Sequence, residues 1–374
     1  MAFYGLLKLV VLRFQVLMML AFGIAGFHVL NGNAAETSPQ PEDPLVYHID
    51  QTKRELEPLN LAQAPALTAS AEIYLTNYGI HFKDIKHYLG TFKSGSYRLS
   101  AHVLIPSNAK ATIFVLHGYL DHIGTLKNLI RLCVQEQFAV AMYDLPGHGL
   151  SDGVSCSIND FSEYVSVFRD FIELCRPYLP QPYHFVGHST GCAIAFDYMH
   201  RVSDKNFDKV VFIAPLVRSA YWTLSKANHY LAKPFIDSVP RVFFDNTSDP
   251  DFNAFIRNDP LQCTEIPLRW VEALFVWNEH VEAYKPISHP ILILQGSEDT
   301  VVDWQFNIPF NKRKNDSVTV KWFEKGKHHL LNERQAIRLE VLNTVRSYLQ
   351  TGQHSTIPIA RPGGSRQVGA KPLS

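Results

Sequence analysis

Gly187-His188-Ser189-Thr190-Gly191 sets one serine between two glycines, where the apolar run YHFVGH meets a second one, CAIAFDYM. The pattern is G-x-S-x-G, in which a sharp strand-to-helix turn lifts a serine clear of a sheet. Small neighbours are needed there so that the backbones can approach. Ser189 in that position is a candidate nucleophile for acyl transfer, and a helix amino terminus beneath it favours developing negative charge. The plainer role for the same serine is a helix cap. A hydroxyl attacks poorly without a general base held by a third group, and with such elbows the partners follow in the order serine, acid, histidine. Downstream, ILILQGSEDTVVDW supplies Glu298, Asp299 and Asp303, and WFEKGKHHLLNE supplies His328 and His329. Each would leave the end of a strand, as the serine does.

The elements that must position these groups are legible as a rhythm. ATIFVLHG, FAVAMYDLPGHG, YHFVGHS, KVVFIAP and HPILILQG are short apolar runs of the kind buried on both faces of a sheet. Helix-length segments 125–137, 158–178 and 191–202 lie between the first four. Alternation of this sort predicts a mainly parallel sheet with helices on both faces. Before it, IKHYLGTFKS and YRLSAHVLIP flank a Ser-Gly-Ser turn and predict an antiparallel hairpin. Residues 216–289 interrupt the alternation with a long aromatic-rich insertion, too long for an ordinary connection and expected to form a helical cap after the strand ending near Pro215.

The stretches LHGYLDHIG, YDLPGHGLSDG, VGHSTG, NDPL, LILQGSEDTVVD and HHLLNE, in that order, resemble the α/β-hydrolase superfamily, and within it the monoacylglycerol lipase and bacterial lysophospholipase branch. The resemblance covers roughly residues 76–350. It implies an α/β-hydrolase fold, with Ser189 as nucleophile, Asp299 as acid and His328 as base. His329 remains the alternative base, because the spacing back to Gly326 is shorter than in some relatives. Main-chain N–H groups of Tyr119 and Thr190 are implied as the oxyanion hole, and Asp144, Gly147, His148, Gly149 and Ser151 as a structural loop near the site. Cys192 stands where relatives commonly carry a second glycine. The implied reaction is hydrolysis of a carboxylic ester of a monoacyl lipid, monoacylglycerol or lysophospholipid, with no cofactor. Aromatic residues of the cap would line an apolar tunnel for the acyl chain. A short-chain esterase, a prolyl-type aminopeptidase using Glu265, Glu272, Glu279 or Glu282 to hold a free amine, and a non-catalytic binding module on the same fold are the alternatives.

Composition narrows the classes further. Lys plus Arg and Asp plus Glu are 35 each, so the chain is formally neutral, and it lacks the basic run expected of a nucleic-acid binder. The 17 histidines include no HExxH, the five cysteines have no zinc-like spacing, and no metal centre is expected. Residues 1–35 carry Lys8 and Arg13 before an apolar run from Phe14 to Leu30 and read as a signal peptide or membrane anchor. Either would place the remainder outside the cytoplasm, secreted, periplasmic or membrane-anchored, where disulfides are permitted; the sequence names no pair. Residues 36–75, rich in Pro and Ala, read as a leader or linker, and 351–374 as a disordered tail.

Overall fold

The computed structural model describes residues 43–202 and 207–350; the expected signal peptide or anchor and the expected tail lie outside them. An eight-stranded sheet runs in the order β1-β2-β4-β3-β5-β6-β9-β10. β1 (Ile85–Ser94) and β2 (Tyr97–Pro106) form the expected hairpin, with register from Ile85 opposite Pro106 to Ser94 opposite Tyr97. β2 pairs antiparallel with β4 (Phe138–Tyr143). From β4 onward every pairing is parallel, through β3 (Ala111–Leu116), β5 (Tyr183–His188), β6 (Lys209–Ile213), β9 (Ile291–Gly296) and β10 (Val318–Phe323).

Every residue of β3, β4, β5, β6 and β9 is buried. Side chains alternate across a strand, so each strand feeds two cores. In β3, Phe114 and Leu116 belong to one apolar cluster, and Ile113 and Val115 to the other. On the first face, α4 (Phe161–Cys175) starts in a capping box between Asp160 and Glu163 and buries Phe161, Phe168 and Phe171. It packs there with α5 (Thr190–Arg201), whose first nine residues are all buried. The second face is covered by α3 (Lys127–Gln135) and α10 (Gln335–Gln350).

The leader expected over residues 36–75 is corrected by its described part. Asp43 caps α1 (Pro44–Glu55) and Thr68 caps α2 (Ala69–Asn77), and Ile49, Leu56, Tyr74 and Leu75 are buried in the second core. Between the helices, Leu59 N–H donates to Thr91 O at 2.8 Å and Thr91 N–H to Glu57 O at 2.8 Å, so the segment lies along the edge strand β1. Pro and Ala richness masked two short helices whose apolar residues join the second core. Among the described residues, no helix is long and apolar enough to cross a membrane.

Between β6 and β9 the insertion contains α6 (Trp222–Ala232), α7 (Pro250–Asn258), α8 (Leu268–Glu282) and a two-stranded ribbon of β7 (Ser238–Pro240) with β8 (Glu265–Pro267). A disulfide joins Cys156, in the loop after β4, to Cys263 in the insertion, across 107 residues of sequence. Closing so long a loop restricts the unfolded chain, and a bond of this kind contributes about 2–4 kcal/mol. Reduction is therefore expected to move the guanidinium unfolding midpoint of the oxidised protein down by that equivalent. An unchanged midpoint would mean that the bridge does not constrain the unfolded state. Cys133, Cys175 and Cys192 are free and buried.

Candidate active site

Ser189 sits between β5 and α5 with φ 50° and ψ −110°, a left-handed φ that a non-glycine residue adopts only under constraint. The constraint is visible in its neighbours. A Cβ on Gly191 would lie 2.5 Å from the Leu116 carbonyl oxygen on β3, and one on Gly187 would lie 2.9 Å from the Cys192 nitrogen. The glycines are therefore required by close approach of helix and strands. Ser189 N–H donates to Ile213 O at 2.9 Å, which ties the turn to β6. Cys192 fills the position of the absent second glycine, with Sγ 3.1 Å from Gly187 O. Burial pushes its thiol pKa well up, so it packs as an inert side chain.

Asp299 leaves the end of β9 and His328 follows β10, and their side chains meet: His328 Nδ1 lies 2.9 Å from Asp299 Oδ2. Asp299 also accepts from Gln295 Nε2 (3.0 Å), Val301 N–H (2.9 Å) and Val302 N–H (3.2 Å). Burial pushes its carboxyl pKa up, but the facing imidazole and these donors outweigh burial and hold it below the ordinary aspartate value. The rival carboxylates are elsewhere: Asp303 accepts from Phe306 N–H at 3.1 Å as the cap of α9 (Trp304–Lys314), and Glu298 is exposed. The His328 ring lies 4.8 Å from that of His188, the residue before Ser189. Ser189, Asp299 and His328 are only 6%, 5% and 4% exposed, so the three groups share a covered interior.

His329 is placed differently. Its Nε2 lies 3.8 Å from Asp121 Oδ2, and its ring lies 5.4 Å from that of Phe252 on α7. Burial pushes its pKa down to about 3. The doublet is held by Glu333, fully buried, which accepts from Lys327 N–H at 2.7 Å and from Ser248 N–H at 2.8 Å. The histidine loop is thereby tied to the insertion, and His329 N–H adds a bond to Asn246 O at 2.9 Å.

The HGY loop after β3 carries Tyr119, and α5 begins at Thr190, whose main-chain N–H belongs to the unpaired first turn of the helix. A Cβ on Gly118, beside Tyr119, would lie 3.2 Å from Ser189 Cβ, so this loop borders the serine. The Tyr119 side chain turns to the insertion, stacking on Trp270 of α8 with ring centroids 3.5 Å apart and donating to Cys156 O at 2.8 Å. The loop that starts at Asp144 supports the same region. Asp144 accepts from Ile123 N–H and Leu150 N–H at 2.9 Å each, and His148 Nε2 accepts from Leu120 N–H at 3.2 Å. Gly149 presses on Asp144, and Ser151 bonds Asp144 O at 2.6 Å.

The aromatic residues of the insertion divide in a way that sequence reasoning missed. Trp270 and Trp277 are buried anchors, donating to Tyr164 Oη and Asp197 Oδ2 at 3.1 and 3.0 Å, whereas Tyr230 and Phe235 are 81% and 84% exposed. A cavity of about 790 Å³ lies between the insertion and the loop at 153–159; its lining mixes Ile158, Ile236 and Leu268 with Lys233, Arg269 and Glu272 and does not include Ser189. The four glutamates weighed as amine ligands are engaged elsewhere: Glu272 with Lys233, Glu279 with Lys226, Glu282 with Arg218 and Glu265 with the Ser238 hydroxyl.

A mainly parallel sheet, a strained serine between β5 and α5, and an aspartate–histidine pair delivered after β9 and β10 define an α/β-hydrolase. The chain belongs to the Hydrolase_4 family (serine aminopeptidase, S33), whose profile matches residues 107–335. It is 24% identical over 250 residues to the phospholipase YtpA of Bacillus subtilis, covering 64% of this chain and 94% of that protein. It is 28% identical over 284 residues to the monoglyceride lipase of Homo sapiens, covering 72% and 90%. Among solved structures, a soluble variant of Saccharomyces cerevisiae monoglyceride lipase with a substrate analogue matches with TM-score 0.61 at 16% identity, over 72% of this chain and 96% of that one, a likeness of fold.

Proposed function

We propose that this chain hydrolyses the carboxylic ester of a monoacyl lipid, a monoacylglycerol or a lysophospholipid, through an acyl-enzyme on Ser189. The observation that carries the reading is the Asp299–His328 pair at 2.9 Å beside the elbow serine. His328, oriented by Asp299, takes the Ser189 proton as the hydroxyl oxygen attacks the acyl carbonyl. The Tyr119 and Thr190 N–H groups hold the oxyanion. The alcohol leaves with the proton from His328, and water then attacks the acyl-enzyme by the same route to release the fatty acid. The Ser189 hydroxyl is not hydrogen-bonded to His328 in this conformation, a gap common before substrate binds.

The insertion acts as a cap over this centre. Its support is the contacts it makes with both loops bordering the serine, Trp270 on Tyr119 and Asn246 to Ser248 on the histidine loop. Access for an acyl chain then requires the cap to move. The Cys156–Cys263 bridge supports a site of action outside the cytoplasm, in an oxidising compartment.

The test is a substrate panel of monoacylglycerol, lysophosphatidylcholine, nitrophenyl butyrate and proline nitroanilide, with fluorophosphonate labelling and Ser189→Ala as control. One of the two lipids is expected to show a kcat/KM at least about tenfold above the short ester, a difference of about 1.4 kcal/mol in transition-state binding. The anilide should be inert, since the cap glutamates are already paired. Fastest turnover of the anilide would make the chain an aminopeptidase, and folded protein that takes no label would make it a binding module.

A further inference from the structure

Three side chains beside Ser189 take no part in the ester chemistry yet converge on one point. Asp121 lies in the loop after β3, His188 ends β5, and His329 follows the base. Asp121 and His188 are buried, while the His329 side chain is 12% exposed. Asp121 Oδ2, His188 Nδ1 and His329 Nε2 all lie within 4.8 Å of one another.

The pairing within this cluster is incomplete as it stands. His188 Nε2 lies 3.2 Å from the His328 carbonyl oxygen, so it carries the ring proton. Its Nδ1 lies 3.6 Å from Asp121 Oδ2. His329 Nε2 lies 3.8 Å from the same oxygen. Neither distance is that of a hydrogen bond. Arg241 supplies positive charge from farther off, its guanidinium being engaged by Leu120 O, Gln262 Oε1 and Cys263 O.

We propose that Asp121, His188 and His329 form a binding site for a first-row divalent cation, zinc foremost, whose occupancy suppresses the neighbouring hydrolytic centre. Two imidazoles and a carboxylate are a donor set suited to zinc and unlike the all-oxygen shells of calcium or magnesium. Zinc bonds of about 2.0–2.1 Å put tetrahedral ligand atoms roughly 3.4 Å apart, and two of the three edges here are 3.6 and 3.8 Å. The spacing of these residues along the chain carries no metal motif, because three separate segments supply one ligand each. Suppression follows from placement. The His188 ring lies 4.8 Å from the His328 ring, and an ion that draws His188 and His329 together shifts the residues next to Ser189 and His328, the two groups that must meet. Zinc affinity stands apart from the hydrolase reading; only the suppression rests on it.

The experiment uses the full chain with its disulfide intact, stripped of metal by chelator and titrated with zinc chloride by calorimetry. About one zinc per chain is expected, with affinity at least about tenfold weaker in both Asp121→Asn and His329→Gln. Thermal melts confirm that each variant is folded, and Ser189→Ala should bind zinc as the wild type does. In parallel, saturating zinc should slow fluorophosphonate labelling of the wild type at least about tenfold, reversibly with EDTA, while labelling of His329→Gln becomes insensitive to zinc. No uptake at micromolar zinc, or uptake unchanged in both folded variants, overturns the site. Stoichiometric binding that leaves labelling untouched overturns the suppression.

Discussion

Alanine at either Ser189 or His328 is expected to lower kcat/KM by about 10⁴ to 10⁶ in protein that remains folded. The two losses should not add, because nucleophile and base act as one unit: the double variant should be little worse than either single one. His329→Ala is the discriminating control. Its ring faces Asp121 and Phe252, and it lacks the 2.9 Å bond to Asp299 that His328 makes. A His329 variant should therefore retain activity within about tenfold of wild type, the scale of a misplaced neighbour rather than a lost base. The measurement is steady-state hydrolysis of the panel's best ester together with the rate of fluorophosphonate labelling. Equal losses for the two histidines would remove the basis for assigning His328 as the base, and the loop would then have to rearrange on substrate binding.

The central sheet was legible because its strands are apolar end to end, which only burial on both faces explains, and because Ser-Gly-Ser marked the hairpin. Ser189 was legible for a related reason: a hydroxyl between two glycines is costly unless a backbone must pass close by, and Leu116 O is what passes. Several features depended on partners far away in sequence and left no local signal. The apolar residues of α1 and α2 are buried in the second core by partners distant in sequence, so Pro and Ala there looked like linker. The Cys156–Cys263 pair is one of ten possible pairings among five cysteines, and nothing local selects it. Aromatic richness in the insertion announced burial without direction: Trp270 and Trp277 face the core where a substrate tunnel was expected. The Asp121–His188–His329 convergence was hidden most completely, since His188 and His329 each stand beside a residue already given a role.

Asp299→Asn should leave the fold intact and lower turnover by about 10⁴, the scale seen when a triad carboxylate becomes an amide and the imidazole is left in the wrong tautomer. Asparagine keeps the carbonyl oxygen that could accept from Val301 and Val302, so the loop after β9 retains its shape. The second oxygen is the one that meets His328 Nδ1 and Gln295 Nε2, and an amide there faces one donor with another. The acid limb of the stability profile gives an independent readout. The folded pKa of Asp299 lies below its ordinary value, so its ionised form stabilises the fold fully above the unfolded pKa of about 3.9. That contribution is lost as pH falls from there through the lower folded value. Wild type should accordingly lose stability more steeply than Asp299→Asn as the pH drops below about 4, read from unfolding midpoints at a series of pH values. Parallel curves would show that the carboxylate gains nothing from its pairing with His328, and near-wild-type turnover in the same variant would hand the orienting role to another acid, with Asp303 and Glu298 next in line.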